Sequence, residues 1–308
     1  MKVLVTSPSF GKFNPAIFQE LESRGIEVVR SIPFNKSDLN DIDGWIVGLE
    51  SVGKEELDLA KRLKIVAKHG VGVDNIDLDY AKKRGIVCTN TPGTNNDAVA
   101  DMAFGLMLST ARMIPQAYQT MNTGEWQRYD GRSVWGKTLG IIGLGAIGKS
   151  VARRGKGFSM NVLGYDVSDR SEEEKKIGVT RSSLDEIWES ADYISLHAPL
   201  IDSTKHMINR DVLRKMKKSA ILINTARGPL IKEEDLYEAL VDGEIAGCGL
   251  DVFEKEPLSQ TSPLRGLDNV VITPHIAAYT IEAGALVSEK AAHNMISYLL
   301  DGKTINPV

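Results

Sequence analysis

Between residues 139 and 166 the chain reads Leu139-Gly140-Ile141-Ile142, then Gly143-Leu144-Gly145-Ala146-Ile147-Gly148, then a helix-forming stretch from Lys149, then Val162-Leu163-Gly164-Tyr165 and Asp166. An apolar strand, a glycine turn, a helix and a second strand in this order constrain the fold more than any other part of the sequence. Glycines let the backbone turn tightly and approach a pyrophosphate, whose charge meets the free amides of a helix N-terminus. The expected ligand is therefore a dinucleotide, lined by Gly143, Gly145, Ala146, Ile147 and Gly148. Asp166 stands 18 residues past Gly148, at the end of the next strand. A carboxylate there accepts hydrogen bonds from a ribose diol and repels a 2′-phosphate, which favours NAD over NADP. Its followers Val167, Ser168 and Asp169 add no basic charge, and Arg170 comes four positions late.

At 308 residues the chain is long for one core and natural for two domains. Apolar residues make up 42% and charged residues 25%, as in ordinary globular proteins, so a sizeable core can form. The net charge is −4 with both signs interspersed, which gives no reason to expect a nucleic-acid or membrane partner. Lys2-Val3-Leu4-Val5-Thr6 reads as a first strand rather than a signal peptide, and no run approaches membrane-spanning length, so a cytoplasmic location is expected. Cys88 and Cys248 sit in apolar segments without CxxC spacing and read as buried thiols. No His, Cys, Asp or Glu group has metal-site spacing, so no metal is expected.

Short β-branched runs alternate with helical patterns throughout, predicting an α/β fold of two doubly wound parallel sheets. Strands are predicted near Val3–Thr6, Val28–Ser31, Trp45–Val47, Lys64–Ala67 and Ile86–Thr89. A second series follows at Thr138–Ile142, Asn161–Tyr165, Tyr193–Leu196, Ala220–Asn224, Ala246–Leu250 and Val270–Thr273. The pattern divides the chain into residues 1–98, completed by 282–308, and residues 99–281. A helix over Asp97–Arg112 makes the first crossing, and Glu282–Leu300 forms a last helix returning to the first domain. Two crossings of this kind would form a cleft, where ligands sit in this class of sheet.

Three polar residues lie just past three consecutive strands of the second series: Arg227 in Asn224-Thr225-Ala226-Arg227-Gly228, Glu256 in Asp251-Val252-Phe253-Glu254-Lys255-Glu256-Pro257, and His275 after Pro274. Singly, each has an ordinary reading as a surface or loop residue. Together, on the sheet that carries the dinucleotide motif, they read as an active site. A guanidinium suits a carboxylate bidentately and polarises a carbonyl, while an imidazole beside a carboxylate is an acid–base pair. Of the other histidines, His69 reads as a ligand contact or a loop-packing residue, and His206 and His293 as solvated.

With these motifs, and with Val71-Gly72-Val73-Asp74-Asn75-Ile76-Asp77 in the first part and Thr273 to Ala277 in the second, the chain resembles the D-isomer-specific 2-hydroxyacid dehydrogenase family. Within that family its form is nearest to the 3-phosphoglycerate dehydrogenases and the glyoxylate/hydroxypyruvate reductases. The resemblance implies a Rossmann NAD-binding domain with a flavodoxin-like substrate domain, and hydride transfer between nicotinamide and a D-2-hydroxy or 2-oxo acid. It also implies roles. Arg227 binds the substrate carboxylate and keto oxygen, His275 is the acid/base oriented by Glu256, and the amides around Val71, Gly72 and Val73 hold the substrate carboxylate. His197, Ala198, Pro199, Thr204, Thr225, Ala226, Asp251 and Ala277, with Arg227 and His275, match cofactor-lining positions. The helix near 98–112 and the Trp126–Trp135 segment resemble the part through which such enzymes form homodimers.

Substrate choice is read from the end of the third strand. There the chain has Trp45-Ile46-Val47-Gly48-Leu49-Glu50, where phosphoglycerate dehydrogenases carry basic side chains. Gly48 brings no charge and Glu50 is expected to repel a phosphate, with Lys54 and Lys68 as the cations that could answer it. Phosphohydroxypyruvate is therefore not expected to be the best substrate. The alternative class is an NADH-sensing corepressor-like protein without turnover, which the same fold and triad would fit.

Overall fold

In a computed structural model of the protein, residues 1–168 and 171–308 are described. Asp169 and Arg170, which entered the reading of cofactor preference, lie outside the described residues. The chain forms two compact units, Met1–Asn95 with Ala278–Val308, and Asn96–Ala277.

The first unit holds a parallel sheet of β1 (Lys2–Val5), β2 (Glu27–Arg30), β3 (Gly44–Val47), β4 (Ile65–Lys68) and β5 (Val87–Thr89), in the order β2-β1-β3-β4-β5. This is the flavodoxin-like order, whose switch point lies between β1 and β3. The central strands are apolar at successive positions because both of their faces are covered. Leu4, Trp45, Val47 and Val66 point into one core with Leu39, Ile42 and Leu57. Val3, Val5, Ile46, Ile65 and Ala67 point into the other, with Ala291, Ala292, Met295 and Ile296. The last four belong to the terminal helix Ile281–Asp301, capped at its start by Thr280, whose hydroxyl accepts from the Ala283 amide. That helix therefore completes the first unit after the chain has built the second.

The second unit holds β6 (Thr138–Ile142), β7 (Asn161–Tyr165), β8 (Thr180–Arg181), β9 (Tyr193–Leu196), β10 (Ile221–Asn224), β11 (Gly247–Leu250) and β12 (Val270–Ile272). All pair in parallel, in the order β12-β11-β10-β9-β6-β7-β8. This is the Rossmann order with a seventh strand added, and its switch point lies between β6 and β9. Two features depart from the sequence reading. The short edge strand β8 has no apolar run and is exposed, so it left no periodic signal. The long helix stops at Ala111, Met113 takes a left-handed φ of 52°, and a second helix, Ile114–Asn122, starts with Pro115 in its first turn.

Both cysteines are buried free thiols. Burial pushes the Cys88 thiol up to about 11 and Cys248 higher still, which keeps both out of nucleophilic chemistry. No described helix is long and apolar enough to cross a membrane.

Candidate active site and cofactor cradle

The glycine turn lies at the C-terminal end of β6, on the switch point. Gly143 has a φ of +94°, and a Cβ there would stand 2.6 Å from the His197 carbonyl carbon. A Cβ on Gly148 would stand 2.0 Å from the Gly143 carbonyl oxygen, so the helix Ala146–Gly157 starts pressed against the turn. Gly145, the residue before that helix, is different. A Cβ there would meet nothing within 4 Å, which leaves open space in front of the helix amides. Asp166 braces the turn from β7: one carboxylate oxygen accepts from the Leu144 amide at 2.8 Å and the other from the Ser168 amide at 2.8 Å.

Sequence reasoning missed Arg181. From β8 its guanidinium donates to the Asp166 and Ser168 carbonyls and to the Glu174 carboxylate, at 2.5, 3.1 and 2.9 Å. A cation thus stands on the backbone of the proposed ribose acid, with its charge met by the buried Glu174. A strand of two residues fifteen positions away gives no local motif by which this could be found.

The next two strand ends carry polar atoms without protein partners. His197 follows β9, and its Nε2 meets the buried Ser195 hydroxyl at 2.8 Å. Its Nδ1 and the Thr225 hydroxyl, just past β10, are buried without a hydrogen-bond partner among the described residues. Burial lowers the His197 imidazole to about 4, so the ring is neutral. Pro199 and Thr204 close the adjoining loop, with the Thr204 hydroxyl donating to the Pro199 carbonyl at 2.7 Å. Ala198 is buried at its base. Orphaned polar atoms, open space before Gly145 and a helix N-terminus of sufficient length fit a dinucleotide here.

Arg227 leaves β10 through a turn held by the buried Asn224, whose amide donates to the Arg227 carbonyl at 2.9 Å and accepts from the Ala226 amide at 3.0 Å. The Arg227 guanidinium donates to the Ala226 carbonyl at 2.7 Å. A Cβ on Gly228 would lie 1.8 Å from the Phe253 carbonyl carbon, so the turns after β10 and β11 interlock and only glycine fits. Beyond Phe253, Glu256 accepts from the Phe253 amide at 3.0 Å with one oxygen and meets His275 Nδ1 at 2.7 Å with the other. His275 and Glu256 side chains are 50% and 36% exposed, so the pair is open to a reactant.

His275 takes a left-handed φ of 54°, a conformation that costs a β-carbon residue about 1–3 kcal/mol. Asp251 holds it there. Its carboxylate, fully buried, accepts from the Thr273 hydroxyl at 2.6 Å, the Ile276 amide at 2.9 Å and the Ala277 amide at 2.7 Å. Its carbonyl accepts from the His275 amide at 2.9 Å. Asp251, expected as a cofactor-lining position, thus organises the loop that presents the imidazole. His206, read as solvated, is instead paired with Glu254 at 2.7 Å.

In the first unit, Val71, Gly72 and Val73 follow β4, and their amides donate to no protein acceptor among the described residues. The end of β3 lies beside them. The Glu50 carboxylate folds inward, accepting from the Gly48 amide at 2.9 Å and the Thr6 hydroxyl at 3.1 Å. Lys68 is buried, and its ammonium donates to the Gly48 carbonyl at 2.5 Å and to Asn75 at 2.7 Å. Both charged groups thus bind at Gly48, the Glu50 carboxylate at its amide and the Lys68 ammonium at its carbonyl. Lys54 leans over the Tyr80 ring at 5.8 Å. What projects from this strand end is Leu49, 81% exposed.

A glycine turn at the switch point of a parallel sheet and an imidazole–carboxylate pair on its strand ends define a nicotinamide-dependent oxidoreductase. Sequence comparison gives the family. The profile of the D-isomer specific 2-hydroxyacid dehydrogenase NAD binding domain matches residues 104–277, and the chain belongs to that family of enzymes. It is 41% identical over 292 residues to a glyoxylate reductase of Pyrococcus furiosus, covering 91% of this chain and 87% of that protein. It is 42% identical over 302 residues to a D-3-phosphoglycerate dehydrogenase of Methanocaldococcus jannaschii, covering 94% of this chain but 56% of that one. Among solved structures, an NADPH-dependent glyoxylate/hydroxypyruvate reductase of Sinorhizobium meliloti superposes with a TM-score of 0.88 at 33% identity, over 100% of this chain and 97% of that one.

Proposed function

We propose that this chain reduces small unphosphorylated 2-oxo acids, of the glyoxylate and hydroxypyruvate type, to D-2-hydroxy acids with NADH. The observation that carries the reading is the 2.7 Å contact between His275 Nδ1 and Glu256 at adjacent strand ends, beside the strand that presents Arg227. A bound nicotinamide supplies the hydride chemistry. With Nδ1 on the carboxylate, the other ring nitrogen of His275 is left to give a proton to the carbonyl oxygen on reduction and to take it back on oxidation. The Glu256 carboxylate balances the imidazolium charge. Arg227 pairs with the substrate carboxylate and stabilises the developing alkoxide. In the first unit, the amides of Val71, Gly72 and Val73 are proposed as donors to a substrate carboxylate.

An unphosphorylated substrate is favoured by the strand ends of the first unit. Lys68 is engaged with Gly48 and Asn75, Lys54 lies on Tyr80, and the projecting side chain is the apolar Leu49. A phosphate would lose water there without gaining a cation. The names of the relatives point the same way, most of the similar curated proteins being glyoxylate reductases.

NADH is favoured over NADPH because both carboxylate oxygens of Asp166 are fixed at the end of β7, where a 2′-phosphate would meet them. Arg181 offers the opposing attraction, but Glu174 shares its charge. A homodimer is proposed through the segment after the long helix, where Ile114, Tyr118, Met121, Trp126 and Trp135 are all at least half exposed.

The reading is tested by following NADH consumption with glyoxylate and hydroxypyruvate as acceptors. Turnover of both is the expected result. Binding of NADH without turnover of any 2-oxo acid would turn the reading towards a sensor.

A further inference from the structure

His69 is the one histidine of the first unit's sheet, and nothing in the proposed chemistry uses it. It follows β4 directly and stands immediately before Gly70, whose φ of +152° lifts the chain into the Val71–Val73 loop. Its backbone amide still belongs to the sheet, donating to the Val47 carbonyl at 2.8 Å. Its ring is enclosed. One edge packs on Phe10, with centroids 5.6 Å apart at 72°. Nδ1 meets the Ser7 hydroxyl at 3.1 Å, past the end of β1, and Nε2 meets the Ser288 hydroxyl at 3.0 Å, on the terminal helix.

The partners of Ser288 decide which nitrogen carries the proton. A serine hydroxyl has one hydrogen and two lone pairs. We assign the hydrogen of Ser288 to the Gly284 carbonyl, which stands 2.9 Å away on the same helix, while one lone pair takes the Gly11 amide at 3.1 Å. With that assignment the remaining lone pair faces His69, and Nε2 donates to it. Nδ1 is then bare and accepts from Ser7, whose own oxygen stands 3.3 Å from Ser9. A directed chain runs from Ser9 through Ser7 and His69 to Ser288 and the helix carbonyl.

We infer that His69 is a positioning residue for the substrate-carboxylate loop, a neutral imidazole in the Nε2–H form that ties the exits of β1 and β4 to the terminal helix. Burial, with a smaller contribution from Lys68, lowers the ring to about 4, consistent with a neutral state. Nothing else holds the first residues of the loop except Asn90, whose amide donates to the Val71 carbonyl at 2.8 Å, and the Thr91 amide on the Gly70 carbonyl at 3.1 Å, among the described residues. Both bonds come from the β5 side of the loop. His69 fixes the opposite side. The role in binding rests on the proposed function of the Val71–Val73 amides, whereas the proton assignment does not.

Two measurements test it. Heteronuclear NMR of the imidazole nitrogens in the unmodified chain near neutral pH should show His69 with Nε2 protonated and Nδ1 bare; the opposite tautomer or a charged ring would overturn the assignment. Steady-state kinetics should then show KM for glyoxylate rising about tenfold in His69→Ala, while kcat and NADH affinity change by less than about threefold. His69→Gln, whose amide can still reach Ser288, should recover part of the loss. Should His69→Ala fail to fold, Ser288→Ala removes the acceptor alone and should raise KM by a smaller factor. An unchanged KM in folded His69→Ala, or in both His69→Gln and Ser288→Ala, would overturn the positioning role. If the unmodified chain turned over no 2-oxo acid, the functional reading would fail while the tautomer still stood or fell on the NMR.

Discussion

The two units present their strand ends in opposite ways. In the second, the groups proposed to do chemistry point outward: the His275–Glu256 pair is open, and the residues that hold it, Asp251 and Asn224, are buried behind it. In the first, the charged groups at the strand ends fold inward, with Lys68 bound to the Gly48 carbonyl, Glu50 to the Gly48 amide, and an apolar Leu49 left outside. One sheet turns an imidazole–carboxylate pair outward on buried supports; the other leaves an apolar side chain and bare amides outward. The lesson is that a charged residue at a strand end is no site until its partners are known.

The contrast is broken most severely at His275. His275→Ala should lower kcat by about 10²–10⁴ while NADH still binds, since proton transfer by a positioned side chain contributes on that order. Glu256→Gln, which keeps the shape and removes the charge, should lower it less. Rapid-mixing kinetics beside a nicotinamide fluorescence titration separates the two readouts, and full activity in His275→Ala would end the acid–base proposal.

Lys68 comes next, and its effect should fall on stability and not on charge at a substrate. Lys68→Met should cost about 1–3 kcal/mol, because the Gly48 carbonyl and Asn75 lose a buried donor. Denaturant unfolding measures this. A variant as stable as the unmodified chain would mean that the inward network is not what fixes this strand end.

A smaller effect is expected at Asp166. Asp166→Ala should weaken NADH by about tenfold and narrow its advantage over NADPH, the loss of roughly one charged hydrogen bond. Removing Arg181 with Arg181→Gln should widen that advantage instead. Equal or tighter NADPH binding by the unmodified chain would reverse the assignment.

A last effect, spread over a pH range and not tied to one variant, is on acid stability, and both units share it. His69 and His197 are held near 4 in the folded chain against an ordinary 6.5, so the unfolded chain takes up the protons first. Their contribution is complete above 6.5 and declines as pH falls from there towards 4, by at most about 1.4 kcal/mol per pH unit for each ring. Asp43 acts in a lower window. Although burial opposes it, the Lys2 amide, Lys64 and Arg62 keep its carboxyl below the usual 3.8, so its contribution is complete above 3.8, declines as pH falls from there, and is gone below that lower value. Thermal melts across this range should soften first in the histidine window, and His69→Gln should flatten part of that slope.

Much of this was legible in the sequence, for a physical reason. β-branched runs mark buried parallel strands wherever they fall, and both sheets are found from them. The glycine turn, Arg227, Glu256 and His275 each lie within a few residues of such a run, so local order already places them at strand ends. Asp251 was read for its position rather than its bonds, because its partners lie 22 to 26 residues further on. Arg181 and His69 were missed or left open for the same reason: their roles come from side chains on other elements. The hydrogen bonds of Glu50 and Lys68 at Gly48 were likewise out of reach of the sequence, because Lys68 arrives from the next strand.

The central claim is that the second unit supplies the chemistry while the first selects a small acid without a phosphate. Its most direct test is kcat/KM for hydroxypyruvate against phosphohydroxypyruvate with NADH, on the unmodified chain at low and moderate salt. An uncompensated phosphate should cost roughly 1 kcal/mol or more, so hydroxypyruvate should be preferred by about fivefold or more with little dependence on salt. A strong preference for the phosphorylated acid that fades as salt rises would contradict the account, because it would require a cation that these strand ends do not present.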